Sequence, residues 1–335
     1  MKFVRTKKLV FLNNKWWVGK TTIAYNTAVK FAEKWYKTVL IDADPQCNLS
    51  RLALGEGFDM SIFSGEGRSI YGVLKGIVEG GADIDMSIPF QPLSENLSIL
   101  PGSLKLSRYA DLLITAYNQA ASGQEIGYFQ TSAISRYLME KWLKEEVDIF
   151  IIDVSPSLDL LNRIILLSAD YFVTPLMPDA FSVQGIENLG LTLEAWKENW
   201  KNTGKALARG IPSERVLSWE GLFIGYVVNS YNQYAQKPIA SHQEWMEKIP
   251  EYIKKYLSER HCRNGLVEKS WKHTLTDIKD FGQLPADGQI SSKAIFNLIP
   301  GVDFQSVPGT LENLELAQEQ FELLSTNIEE ILQKY

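Results

Sequence analysis

Two cysteines in 335 residues, Cys47 and Cys262, are too few for a disulfide framework, and they lack the C-x-x-C spacing of a metal or redox pair. Both are expected to be free thiols. Long apolar runs are missing too. The apolar stretch Ile164-Ile165-Leu166-Leu167 gives way at once to Ser168-Ala169-Asp170, and no signal-like apolar segment precedes the first strand-like stretch. The expectation is a cytoplasmic protein without a membrane partner. Positive charge is in short supply as well: 34 Lys and Arg stand against 40 Asp and Glu, a net charge of -6, which excludes an all-over basic nucleic-acid binder. A local patch is the route left for DNA. The richest stretch holds Lys254, Lys255, Arg260, His261, Arg263, Lys269, Lys272 and His273, interleaved with Glu251, Glu259 and Glu268, the pattern of a solvated helix face. Internal repeats and low-complexity tracts are also absent.

What is present is a core: 45% of the residues are hydrophobic, enough for one large domain over 1–335 with helical insertions at about 105–140 and 235–285. Strands rich in Val and Ile alternate with helical stretches. That order predicts an α/β fold, a doubly wound and mostly parallel sheet with helices on both faces. Ligands bind such sheets at the carboxyl ends of the strands. The segment Leu311 to Tyr335 reads as an amphipathic helix with Leu314, Leu316, Phe321, Leu324 and Ile328 on one side. Its other side is rich in Glu, whereas a helix lying on anionic lipid is basic there, so it is expected to pack on the core.

The chemistry is concentrated at Asn13-Asn14-Lys15-Trp16-Trp17-Val18-Gly19-Lys20-Thr21-Thr22. An apolar strand, Lys8 to Leu12, enters it, and a helix from Thr21 to Glu33 leaves it, with Ile23, Ala24, Thr27, Ala28, Phe31 and Ala32 along one side. Helix N-terminal amides can hold a phosphate there, a Lys neutralises its charge, and a Thr hydroxyl ligates Mg²⁺. The general pattern G-x-x-x-x-G-K-[ST] fails at its first position, Asn14. The variant K-G-G-x-G-K-T is met at Lys15, Gly19, Lys20 and Thr21 and missed at Trp16 and Trp17.

In these residues the chain resembles the ParA/MinD family of deviant Walker P-loop ATPases, closest to ParA-like partition ATPases, with Lys15 in the place of the family's signature lysine. Three more motifs follow in the family's order. The strand Val39-Leu40-Ile41 ends in Asp42-Ala43-Asp44, the apolar run Ile149-Phe150-Ile151-Ile152 ends in Asp153, and Leu222-Phe223-Ile224-Gly225-Tyr226-Val227-Val228 ends in Asn229. The resemblance covers residue 8 to about 330. It implies that Lys20 contacts the β and γ phosphates within a nucleotide site of Lys15, Val18, Gly19, Lys20, Thr21, Thr22 and Asn229. It further implies that Thr21, Asp42 and Asp153 serve Mg²⁺, that Asp44 orients the attacking water, and that Asn229 meets the adenine. Lys15 would reach across an ATP-dependent homodimer into the partner's site. Activity would be ATP hydrolysis that partitions DNA or another large cargo, with a ParB-like stimulating protein and non-specific DNA as partners. Operator-specific binding is not expected, because no helix-turn-helix precedes the first strand. His261, Cys262 and His273 lack a fourth ligand at structural-zinc spacing, so Mg²⁺ is the one metal expected.

Three tryptophans stand where the resembled family has glycine: Trp16, Trp17 and Trp35, the last at the end of the first helix, where a left-handed cap is expected. Phosphate-loop glycines adopt φ > 0 and let amides approach the anion without a Cβ in the way. A bulky residue forced into such a conformation costs about 1–3 kcal/mol. With two indoles also needing room, nucleotide binding or the close dimer is expected to weaken by roughly a thousandfold. The alternative function is a nucleotide-dead adaptor of the same fold.

Overall fold

The structure, a computed structural model, describes residues 3–55, 58, 68–218, 221–231, 233–234, 237–238, 240–262, 273–305 and 309–334. Ten strands and the helices between them form, in chain order, β1 (Lys7–Phe11), α1 (Lys20–Glu33), β2 (Thr38–Ala43), α2 (Asn48–Leu54), α3 (Ile70–Val78), β3 (Gln91–Pro92) and β4 (Leu97–Leu100). Then come α4 (Leu106–Ala121), α5 (Glu125–Thr131), α6 (Ala133–Glu145), β5 (Ile149–Val154), α7 (Leu160–Ser168), β6 (Tyr171–Leu176) and α8 (Ala180–Asn202). The chain continues with β7 (Leu222–Tyr231), the short pair β8 (Gln233–Tyr234) and β9 (Lys237–Pro238), α9 (Ala240–Ile253), β10 (Thr274–Lys279), α10 (Leu284–Ser291) and α11 (Thr310–Lys334).

Eight strands form one sheet in the order β10-β7-β6-β1-β5-β2-β4-β3. Every pairing in it is parallel except that of β3 with β4. The side-chain period of two explains why both faces carry helices. In β5, Phe150, Ile152 and Val154 point into one core and Ile149 and Ile151 into the other; β1 divides Val10 from Leu9 and Phe11 in the same way. The first core lies under α3, α4, α6, α7, α8 and α9, the second under α1, α2 and α11. The α11 face of Leu314, Ala317, Phe321, Leu324 and Ile328 is buried in the second core, as the sequence predicts. Among the described residues no helix is long and apolar enough to cross a membrane.

The stretch 105–140 is helical, as α4, α5 and most of α6. The stretch 235–285 is not uniformly so: it contains the edge strand β10, which pairs in parallel with β7. Its sequence, Thr-Leu-Thr-Asp-Ile-Lys, buries Leu275, Thr276 and Ile278, and the four polar residues among its six hide the strand from a reading based on apolar runs.

Candidate functional site

Because β1 lies centrally, between β5 and β6, the loop that leaves its carboxyl end faces the ends of both neighbours. The register Phe11↔Asp153 and Asp42↔Asp153 sets three motif segments side by side although they are far apart in sequence. Asn13 pins the loop by donating its side-chain amide to the Pro175 carbonyl of β6 and accepting the Lys15 amide at 2.9 Å. Helix α1 starts after Gly19, whose φ of 75° lies in the left-handed region. A Cβ there would fall 2.1 Å from Asn229 Nδ2, so glycine is required on two counts.

The first turn of α1 contains no acidic residue, and no side chain caps it. Its free amides and positive dipole end suit an anion. Beside it, the Lys20 ammonium donates to Asp153 Oδ1, and the Thr21 hydroxyl donates to Asp153 Oδ2 at 2.7 Å. Lys20 and Asp153 are both buried. A hydroxyl and a carboxylate are hard oxygen donors, the set Mg²⁺ takes. A cavity of about 300 Å³ opens over these groups, lined by residues 15–22 together with Asp44, Asn48, Leu52, Pro156 and Gln289.

Residues 6–205 match the AAA domain family AAA_31. The chain belongs to that family, as a ParA/MinD-type P-loop ATPase. An uncharacterized protein of Methanocaldococcus jannaschii, MJECL24, is 31% identical over 226 residues, 68% of this chain and 74% of that protein. The chromosome-partitioning ATPase Soj of Treponema pallidum is 30% identical over 205 residues, 61% of this chain and 69% of Soj. Among solved structures, protein DIP2308 of Corynebacterium diphtheriae superposes with a TM-score of 0.70 at 23% identity, covering 86% of this chain and 97% of that one. An ATP complex of McdA from Cyanothece gives 0.63 at 15% identity, covering 96% of each chain. At such identities the two structures speak for the fold.

Within this P-loop site the structure separates the sequence-derived residues. Lys15, Val18, Gly19, Lys20, Thr21, Thr22 and Asp44 line one cavity, and Asp153 stands behind Lys20 and Thr21. Asp44 accepts the Gln46 amide at 2.9 Å; burial lifts its carboxyl above the ordinary range against the pull of that amide and of Lys20. Asp42 is elsewhere. It is fully buried, with Oδ2 accepting both the amide (2.8 Å) and the hydroxyl (2.6 Å) of Ser50, and Oδ1 accepting the Asp44 amide at 3.2 Å. Burial and the neighbouring Asp153 charge push its carboxyl up to about 7. Both oxygens are thus engaged by the chain itself, as those of Asp153 are by Lys20 and Thr21, and Asp42 braces the β2–α2 turn behind the site. Asn229 is likewise turned to the underside of the loop, donating to the Val18 carbonyl at 2.9 Å.

The tryptophans divide too. Trp17 has φ of 64° and Trp35 of 66°, but Trp16 does not have a positive φ, so the expected loop strain falls on one indole rather than two. Both loop indoles point outward, Trp16 56% and Trp17 91% exposed, and line the cavity mouth. In the basic stretch, His261 is buried; desolvation lowers its pKa to about 4, so it is uncharged at neutral pH. Arg260 is paired with Glu194, and Arg263, Lys269 and Lys272, like Glu268, lie outside the described residues. Lys254 and Lys255 are its exposed cations among the described residues.

Sequence reasoning passed over two groups. Cys47 begins α2 at φ of 56°, a left-handed non-glycine residue in the turn after Asp44-Pro45-Gln46. Asp179, the N-cap of α8, accepts the Ser182 amide at 2.8 Å and also holds the Lys15 ammonium. The spacing Asp179-x-x-Ser182 ahead of an apolar helix was the available signal for the cap.

Proposed function

We propose that this chain is a ParA-like ATPase of the cytoplasm. It binds Mg-ATP at the loop 15–22, forms an ATP-dependent homodimer, and hydrolyses ATP, with a ParB-like protein as stimulator, to partition or position DNA or another large cargo. The observation that carries this reading is the meeting of Lys20, Thr21 and Asp153 at an uncapped helix N-terminus, over a cavity that Asp44 also lines. Lys20 leaves Asp153 to neutralise phosphate charge. Thr21 and Asp153 would hold Mg²⁺, which would supply charge neutralisation at the transferring phosphoryl group. Asp44, with its raised affinity for a proton, orients water at the cavity wall. Phosphoryl transfer needs chiefly positioning and electrostatic stabilisation, and these four side chains supply both. Lys15 completes the site of the opposite subunit.

Trp17 and the exposed Trp16 weaken this site relative to a glycine loop, because indoles at the mouth restrict how closely an anion meets the amides. Calorimetry of Mg-ATP binding, on this chain and on the double variant Trp16→Gly/Trp17→Gly, tests the reading. Binding by the glycine variant with weaker binding by this chain is expected. Binding by neither overturns the ATPase reading in favour of an adaptor of the same fold.

A further inference from the structure

The Lys15 side chain does not point at the phosphate site of its own subunit. Its amide is fixed on Asn13, and its ammonium reaches the carboxylate of Asp179, 164 residues away in sequence. The ammonium also sits 5.8 Å from the centre of the Phe181 ring. The carboxylate is divided between two tasks: Oδ1 caps α8 through the Ser182 amide, and Oδ2 holds Lys15. Partial burial alone would raise the Asp179 carboxyl, but Lys15 and the Ser182 amide together hold it below its ordinary value. Lys15 stands in the wall between two cavities, the 300 Å³ space over Lys20 and a groove of about 730 Å³ floored by α8, with Phe181, Gly185 and Asn188.

We propose that Asp179 is a latch that retains Lys15 on its own subunit, and that dimerisation works against this contact; the inference rests on the dimer reading above. Asp179 is a positioning residue, acting through Lys15 and not on substrate. An ammonium held by its own chain's carboxylate must give up that partner before it can meet a phosphate on a second copy. Helix α8 also carries contacts further along. Its Glu187 accepts the Tyr256 hydroxyl at 2.6 Å, its Glu194 pairs with Arg260, and Gly190 packs so closely under Tyr256 that a Cβ would fall 2.3 Å from that residue's carbonyl oxygen. The segment bearing Lys254 and Lys255 therefore packs on the same helix whose N-terminus the latch residue caps.

Asp179→Asn separates the two tasks of the side chain, since Asn caps helices as well as Asp but offers Lys15 no charge. The first readout needs no nucleotide: acetylation of Lys15 by an amine-reactive reagent, followed by peptide mass spectrometry. A part-buried ion pair predicts labelling about fivefold faster in Asp179→Asn, a difference lost in concentrated salt and absent in Asp179→Glu. The second is sedimentation with Mg-ATP, on this chain and on Trp16→Gly/Trp17→Gly, each with and without Asp179→Asn; the dimer is expected at about 25-fold lower protein concentration when both latches, each worth about fivefold, are gone. An unchanged melting temperature shows that the cap survives. Unchanged Lys15 labelling overturns the latch outright, as does dimerisation that is equal or weaker in Asp179→Asn. Faster labelling with no ATP-dependent dimer in any variant is a different result: it refutes the dimer reading and leaves the ion pair standing.

Discussion

Trp35→Gly is expected to stabilise the protein. Helix α1 ends in a Schellman motif: the Trp35 amide donates to the Ala32 carbonyl at 3.0 Å, the Tyr36 amide to the Phe31 carbonyl at 3.1 Å, and the Phe31 and Tyr36 rings meet edge to face at 5.5 Å. Trp35 occupies the left-handed position of that motif with φ of 66°. A left-handed conformation costs an L residue about 1–2 kcal/mol, and the greater freedom of glycine in the unfolded chain takes back about 0.5–1 kcal/mol. The indole is 72% exposed, so its removal forfeits little burial. The net gain is about 0.5–1 kcal/mol, and about twice that when Trp17→Gly is added, as the two sites share no partner. Urea unfolding followed by circular dichroism reads this as a higher midpoint at constant slope. Trp35→Ala is the decisive control, because alanine removes the indole and keeps the strained Cβ; it should match the parent. Equal stabilisation by alanine and glycine would refute the backbone argument and assign the gain to loss of bulk.

Three further outcomes follow from the same contacts. Lys20→Ala leaves the buried Asp153 carboxylate with Thr21 beside it and no cation, and should lower stability by about 3 kcal/mol even without nucleotide, measured by urea unfolding. Asn229→Ala removes the support of the Val18 carbonyl and should cost about 1 kcal/mol together with a drop in Mg-ATP affinity, measured by unfolding and calorimetry; unchanged affinity would show that the loop holds itself. His261→Gln keeps a donor for the Gly190 carbonyl but cannot titrate. Because His261 is lowered from 6.5 to about 4, the unfolded chain takes up a proton first as pH falls. The stability it supplies is present above pH 6.5 and is lost towards about pH 4, by up to about 3 kcal/mol, and the variant should flatten that acid limb in urea midpoints taken across the window.

The sheet and the heart of the site are legible in the sequence for a local reason. Lys20 and Thr21 are written next to the helix they begin, and Asp42, Asp44 and Asp153 each close an apolar strand, so each motif carries its own placement. Contacts between distant segments are not written that way. That Asp42 spends both oxygens on Ser50 and Asp44 depends on how the β2–α2 turn folds back. That Asn229 also supports the Val18 carbonyl depends on the approach of Gly19 to the end of β7. His261 reads as a cation in a basic stretch until the packing of Phe172 and Gly190 around it is known. Strand β10 escapes because only Leu275 and Ile278 of its six residues are apolar.

The left-handed backbone at Trp17 and Trp35 also bears on decoding. Glycine codons all begin GG, UGG lies one base from GGG, and the triplet UGA is read as tryptophan in some genetic codes and as glycine in others. Trp200 occupies an authentic indole site, buried, with its ring N–H on the Leu217 carbonyl at 2.7 Å. Its triplet should be UGG. UGA at positions 17 and 35 beside UGG at 200 would mean that ribosomes reading UGA as glycine insert the residue this backbone is shaped for, and peptide masses from the source cells would then show glycine at both.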